Sequence, residues 1–167
     1  MKALITGASS GIGQEIAREL AARGYELILV ARRRDRLEAL SHELTVKCRI
    51  IEADLSDAEQ CKMLYCRARS EDLEIVVNNA GFGMCGLFAA TSLDRDLEMI
   101  RTNIVAVHIL TKLFLHDFRL KNRGYILNVA SSAGFMAGPL MATYYATKSY
   151  VLRLTEAIRE ELRREGS

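Results

Sequence analysis

The sequence predicts an α/β fold, a doubly wound parallel sheet with helices on both faces. Two observations carry the prediction. Five short runs rich in Ile, Leu and Val show little polar alternation: Lys2–Thr6, Glu26–Ala31, Lys47–Glu52, Leu73–Asn78 and Tyr125–Ala130. Strands covered on both faces read that way, because both sets of alternating side chains meet apolar neighbours. Between the runs lie helix-like segments at Gly11–Arg23, Arg34–Leu44, Asp57–Arg69, 92–121 and 143–165. Such alternation needs crossover connections, and right-handed crossovers favour the strand order 3-2-1-4-5. The 167 residues, half of them hydrophobic, suffice for one domain over 1–167 and not for two.

Taken in order, each strand candidate runs into unusual residues at its carboxyl end, where ligands collect in open α/β sheets. The first is followed by Thr6-Gly7-Ala8-Ser9-Ser10-Gly11-Ile12-Gly13. Three glycines permit a tight strand-to-helix turn and let backbone approach a pyrophosphate. The helix start supplies free N–H groups and a positive dipole end. Chance produces roughly 0.002 occurrences of the Thr-Gly-x-x-x-Gly-x-Gly spacing in a chain of this composition.

The second strand ends at Arg32-Arg33, where a site for NAD would carry an acid on the ribose 2′-hydroxyl. Arginine instead pairs with a 2′-phosphate, so position turns a basic surface run into an argument for NADP(H). The third strand is followed by Asp54-Leu55, and the fourth by Asn79-Ala80-Gly81 directly after Asn78.

The long segment after the fourth strand has an apolar stripe at Leu97, Ile100, Ile104, Val107, Leu110 and Phe114. Thr91 and Asp94 fit a capping box at its start. Asn103 lies beside the stripe and reads, from the residues alone, as a helix amide bonding to a neighbouring carbonyl. The fifth strand leads to Ser131-Ser132. In the last helix Tyr144 and Lys148 stand four residues apart and so share a face. That pair alone is weak, since chance supplies roughly 0.2 of them. It gains weight from Ser131, 13 residues before Tyr144.

Composition narrows the functional classes. A formal charge of +2 gives no general reason to expect nucleic acid or an anionic membrane. The cysteines at 48, 61, 66 and 85 suit neither a zinc ribbon nor a disulfide scaffold, and His42, His108 and His116 form no metal motif. The opening apolar run is too short for a signal-peptide core, and His108 and Lys112 interrupt the stretch from Ile104 to Leu115. The expectation is a cytoplasmic protein with no metal site.

Together these residues resemble the short-chain dehydrogenases/reductases. The matching pieces are TGASSGIG at 6–13, ARR at 31–33, ADL at 53–55, NNAG at 78–81, the asparagine of RTNIV, and ASSAGFMAGPLMATYYATK at 130–148. The resemblance covers the chain and implies a Rossmann-like fold. It implies a catalytic tetrad of Asn103, Ser131, Tyr144 and Lys148, with Asn103 anchoring a water at a bend in the long helix. It implies NADP(H) contacts from Gly7, Ser9, Ser10, Gly11, Ile12, Gly13, Arg32, Arg33, Asp54, Leu55, Asn78, Ala80, Gly81, Tyr144 and Lys148. Asp54 would meet the adenine, and Asn78 the adenosine ribose side.

The implied chemistry interconverts a carbonyl and a secondary alcohol, with Tyr144 as general acid or base. An ammonium about 4 Å from a phenolate favours it by roughly 4 kcal/mol at an effective dielectric of about 20. Ser131 would hold the substrate oxygen. Family members continue past the Tyr-Lys helix with another strand, a covering segment, a helix and a final strand. Against that pattern the sequence to Ser167 lacks the C-terminal strands and most of a substrate pocket. The expected partners are a small carbonyl or alcohol and further copies of the chain, as a homodimer or homotetramer. The assembly would use Val105, Ile109 and Leu113 on one long helix and Tyr150 and Leu154 on the other. A truncated, non-catalytic NADP(H)-binding module or assembly partner is the competing reading. A sugar-nucleotide epimerase fits less well, by glycine spacing and chain length.

Overall fold

A computed structural model describes residues 1–166. The strands are β1 (Lys2–Thr6), β2 (Glu26–Ala31), β3 (Cys48–Glu52), β4 (Leu73–Asn78) and β5 (Tyr125–Asn128). They form one parallel sheet in the order β3-β2-β1-β4-β5, as the crossover argument predicts. The helices are α1 (Gly11–Ala22), α2 (Arg34–Glu43), α3 (Ala58–Ala68), α4 (Leu93–Ile100), α5 (Val107–Lys121) and α6 (Ala142–Glu165). A short 3₁₀ turn spans Ser132–Phe135 between β5 and α6.

Both faces of the sheet are covered over β1, β2 and β4. One apolar cluster joins Leu4, Ile28, Val30 and Val76 to Leu64, Leu110 and Phe114 on the α3 and α5 side. The other joins Ala3, Ile5, Leu29 and Val77 to Ala17, Leu37 and Leu40 on the α1 and α2 side. Adjacent residues of β1 thus serve opposite cores, which is why its run shows no polar alternation. Tyr125 and Leu127 of β5, by contrast, are exposed. α1 packs on β1 and β2, and α2 on β2 and β3, so neither reaches that flank.

The long helical segment departs from expectation. α4 and α5 are joined by a π-helical stretch, Arg101–Ala106, whose wider turn shifts the faces on either side of it. The stripe holds through Val107, Leu110 and Phe114, but Leu97 is exposed, and Met99, Asn103 and Ala106 are buried instead. The capping box does not form. Ser92 is the residue before α4, and the Thr91 hydroxyl donates to Phe88 O at 3.1 Å and to Asp96 Oδ2 at 3.0 Å. Part of the apolar set expected for assembly is used within the chain, because Ile109 and Leu113 pack against the α5-side core. His108 Nδ1 lies 2.7 Å from the Tyr150 hydroxyl across α5 and α6.

Candidate active site

A cleft of about 600 Å³ runs along the carboxyl ends of the strands, within the size range of small-molecule sites. At its centre is the turn from β1 to α1. Gly7 has φ +67°, and a Cβ there would stand 2.8 Å from Ala80 Cα. A Cβ on Gly13 would stand 2.4 Å from Gly7 O, so the helix can approach the turn only with glycine at that place. Gly13 is therefore a packing residue and not part of the cleft wall, whereas Gly7, Ser9, Ser10, Gly11 and Ile12 line the cleft. No side chain caps α1 and its first turn holds no acid. Its leading N–H groups thus face the cleft as an anion-binding terminus.

Thr6 locks this turn to the next loop. Its hydroxyl donates to Val77 O at 3.2 Å and accepts from Asn79 N and Ala80 N at 2.9 and 3.0 Å. The Asn79 amide donates to Thr6 O at 3.0 Å. Asn79, Ala80 and Gly81 line the cleft, but the Asn78 side chain does not join them. It is buried, donating to Thr111 Oγ1 at 3.1 Å and Asn128 Oδ1 at 2.8 Å. The side chain therefore does not stand where the resemblance expects a ribose-side contact: Asn78 has the strand parity of Val76 and points under α5. Thr6 and Asn79, to which motif membership alone gives no task, hold that region together.

At the end of β2 the two arginines differ. Arg33 Nη2 donates to Ser9 Oγ at 3.0 Å and Ser10 Oγ at 2.8 Å, beside the open α1 terminus. Arg32 Nη1 pairs with Glu98 Oε1 at 3.0 Å and stands 3.9 Å from Asp54 Oδ2. Glu98 also takes Arg95, so Arg32 shares an acid that sequence spacing could not reveal. Asp54 and Leu55 close this end, the carboxylate accepting from Ser56 N at 2.9 Å.

Tyr144 and Lys148 line the opposite end. Lys148 Nζ is 5.9 Å from the centre of the Tyr144 ring and donates to Val129 O at 2.8 Å. Burial pushes the lysine below its ordinary range, since desolvation disfavours the charged form. Gly83 is the seat of the ring: a Cβ there would lie 3.0 Å from Tyr144 Cδ2. Tyr145 does not line the cleft: its ring lies over Gly138, where an added Cβ would stand 2.4 Å away, and meets the Tyr144 ring edge-on with centroids 6.2 Å apart. Ser131 follows the lining residues Val129 and Ala130 and begins the 3₁₀ turn, its Oγ accepting from Ala133 N at 3.2 Å. Asn103 sits in the π-helical stretch as a clamp. It accepts from Phe82 N at 3.1 Å and donates to Phe82 O at 2.9 Å and Thr147 Oγ1 at 3.0 Å. The amide thus joins the β4 loop to α6, a more specific task than either reading of the sequence assigned.

The donor set suits a dinucleotide: an uncapped helix terminus, a glycine turn that a Cβ would fill, and an arginine held to two serines. Among the described residues no group of His, Cys, Asp and Glu could hold a metal ion, and no helix is long and apolar enough to cross a membrane.

Known proteins share this arrangement. The family model for short chain dehydrogenase matches residues 1–166. Nodulation protein G of Rhizobium sp. (strain N33) is 35% identical over 164 residues, covering 96% of this chain and 66% of that protein. The very-long-chain 3-oxoacyl-CoA reductase of Anas platyrhynchos is 34% identical, covering 98% of this chain and 55% of that one. A short-chain dehydrogenase from Sphingobium yanoikuyae, solved in complex with NADPH, superposes with a TM-score of 0.92 at 35% identity, over 99% of this chain and 67% of that one. The bulky-bulky ketone specific alcohol dehydrogenase of Comamonas testosteroni gives a TM-score of 0.90 at 34% identity, over 98% and 68%. The chain thus spans between about half and two thirds of the curated relatives it matches. It belongs to the short-chain dehydrogenase family.

Proposed function

We propose that the chain is the cofactor-binding and catalytic part of an NADP(H)-dependent oxidoreductase that interconverts a carbonyl and a secondary alcohol. The observation that carries this reading is the shared cleft, with the glycine turn and Arg33 at one end and Tyr144 and Lys148 at the other. Arg33, Ser9 and Ser10 would bind the 2′-phosphate through charge-assisted hydrogen bonds. The α1 terminus would hold the pyrophosphate. The dihydronicotinamide, when bound, supplies the hydride that reaches the carbonyl carbon.

The remaining steps belong to the protein. In reduction Tyr144 gives its hydroxyl proton to the carbonyl oxygen, so the new C–H and O–H bonds complete the alcohol. The tyrosine regains its proton from solvent, and Lys148 stabilises the phenolate meanwhile. Ser131, next to Ala130, donates a hydrogen bond to the substrate oxygen. Asn103 acts through structure, fixing the β4 loop against α6. The test is binding and turnover with both nicotinamide cofactors. Tighter binding of NADPH than NADH, with carbonyl-dependent oxidation of NADPH, is the expected result. Equal dissociation constants would remove the NADP(H) assignment, and cofactor binding without any carbonyl reduction would favour a binding module.

A further inference from the structure

The mouth of the cleft beside Tyr144 has a composition unlike the rest of the molecule. Residues 78–93 and 124–147 contain no Asp, Glu, Lys, Arg or His. In a chain that is 26% charged, about ten charges would fall in these forty residues by chance. Residues 79–83 of the first segment and Val129, Ala130 and Tyr144 of the second line the cleft, and the adjoining stretches 84–93 and 131–143 are taken as its lips. They are tied by a backbone hydrogen bond from Gly86 N to Leu140 O of 2.7 Å, and Met141 and Tyr144 both pack on Gly83. Leu87, Phe88, Phe135, Met136 and Leu140 are exposed on them. The nearest charges lie outside the two segments. Lys148 donates to Val129 O, and Arg95 lies 5.2 Å over the Phe82 ring and pairs with Glu98.

Leu140 carries the argument furthest. Its φ is +66°, a left-handed conformation that suits Gly or Asn and strains a leucine. Only one other non-glycine residue among those described has positive φ, and it is Asn122, where a helix ends. A glycine at position 140 would remove the strain and keep the hydrogen bond to Gly86, which uses backbone alone. The retained side chain is half exposed, on the residue before Met141, which packs on Gly83 together with Tyr144. Strain of this kind concentrates where a side chain is presented to a ligand.

We infer that the substrate of this site is a carbonyl compound whose substituents near the carbonyl are uncharged and apolar, and that Leu140 is a specificity-determining residue that contacts them. The inference rests on the oxidoreductase reading for its carbonyl and on the lips for its substituents. A substrate carboxylate set against these apolar side chains would lose its water there, which is costly. An apolar group would cover side chains now facing water.

Methyl benzoylformate and benzoylformate test this, because they share one reactive ketone and differ by a single charge. With NADPH, the ester is expected to have a kcat/KM at least about tenfold above that of the acid. Leu140→Gly should cut the ester's value by about tenfold, leave the NADPH dissociation constant unchanged, and keep or raise Tm. Equal use of ester and acid, or an unaltered ester value in the variant, overturns the inference. Binding to the NADP⁺-loaded protein, followed by ligand-observed NMR, separates this outcome from failure of the oxidoreductase reading. If neither compound is reduced, that reading falls, and ester binding that Leu140→Gly abolishes still supports an apolar ligand. No ester binding overturns the inference, as does sedimentation showing that the lips are buried between two copies.

Discussion

On the β2 side of the glycine turn the cleft is lined by Arg32, Arg33 and Asp54; on the β5 side it is lined by Val129, Ala130, Tyr144 and Lys148. In the first group both arginines are exposed and pair across elements, Arg33 with two serines and Arg32 with Glu98. In the second group the cation is buried and bonded to a backbone carbonyl. The same division holds at the sheet edges. β3 carries Arg49 and Glu52, charges that protect an edge from pairing. β5 reads Tyr-Ile-Leu-Asn, with Tyr125 and Leu127 exposed. One half therefore offers a charged ligand cationic side chains at the surface. The other holds fixed groups in a water-poor setting, where electrostatic effects on a reacting atom are largest.

The sharpest way to break this comparison is a pair of substitutions that should act separately. Tyr144→Phe removes the transferable proton and keeps the ring on Gly83. Turnover is expected to fall by roughly 10²–10⁴-fold, with NADPH binding unchanged in a fluorescence titration. Tyr145 does not line the cleft, and Tyr145→Phe should be mild. Equal losses in the two variants would refute the assignment of Tyr144. Arg33→Ala should do the converse. Losing charge-assisted hydrogen bonds worth about 1.5–3 kcal/mol weakens NADPH binding by roughly tenfold to a hundredfold, with NADH affected much less. Arg32→Ala should have the smaller effect, since its guanidinium already serves Glu98. A variant of either class that impaired binding and chemistry together would show that the two halves are not independent.

A smaller effect is expected at the open edge. β5 pairs with β4 alone among the described residues, and its outer flank is apolar. Such an edge is expected to favour self-association. Leu127→Lys would give β5 the kind of charge that β3 already carries, and should lower the association constant by about tenfold. Sedimentation across a concentration series measures it. A chain monomeric at every concentration would remove the assembly argument.

Much of this architecture was legible in the sequence because it is written in local patterns. Buried strands read as unbroken apolar runs, and the strand-end residues gather on one sheet edge once the order is known. What escaped depends on pairings distant in sequence or on backbone detail. Glu98 takes Arg32 from 66 residues away. The π-helical stretch rotates the buried face, so the stripe through Leu97 and Ile104 was misplaced. The place of the Asn78 side chain follows from its strand parity with Val76, which motif position alone does not express. The left-handed backbone of Leu140 has no signature in composition at all.

The last prediction concerns the one charge that the catalytic half keeps inside. Burial lowers the Lys148 pKa from the 10.5 of a free lysine. Below its folded value the native state carries a desolvated ammonium, and the full cost is present. Between the folded value and 10.5 the unfolded chain binds more protons than the native one. Stability contributed by this residue therefore rises with pH through that window. Lys148→Met keeps most of the stem and removes the titration. The stability difference, wild type minus Lys148→Met, should become more favourable to the wild type as pH rises from neutrality toward 10.5. Its slope should not exceed about 1.4 kcal/mol per pH unit. Urea unfolding of both proteins at several pH values measures this directly, and other titrating groups cancel in the difference. Parallel stability curves would mean that the ammonium is as well solvated in the fold as outside it. The contrast between an exposed cationic half and a buried one would then fail at the residue on which it most depends.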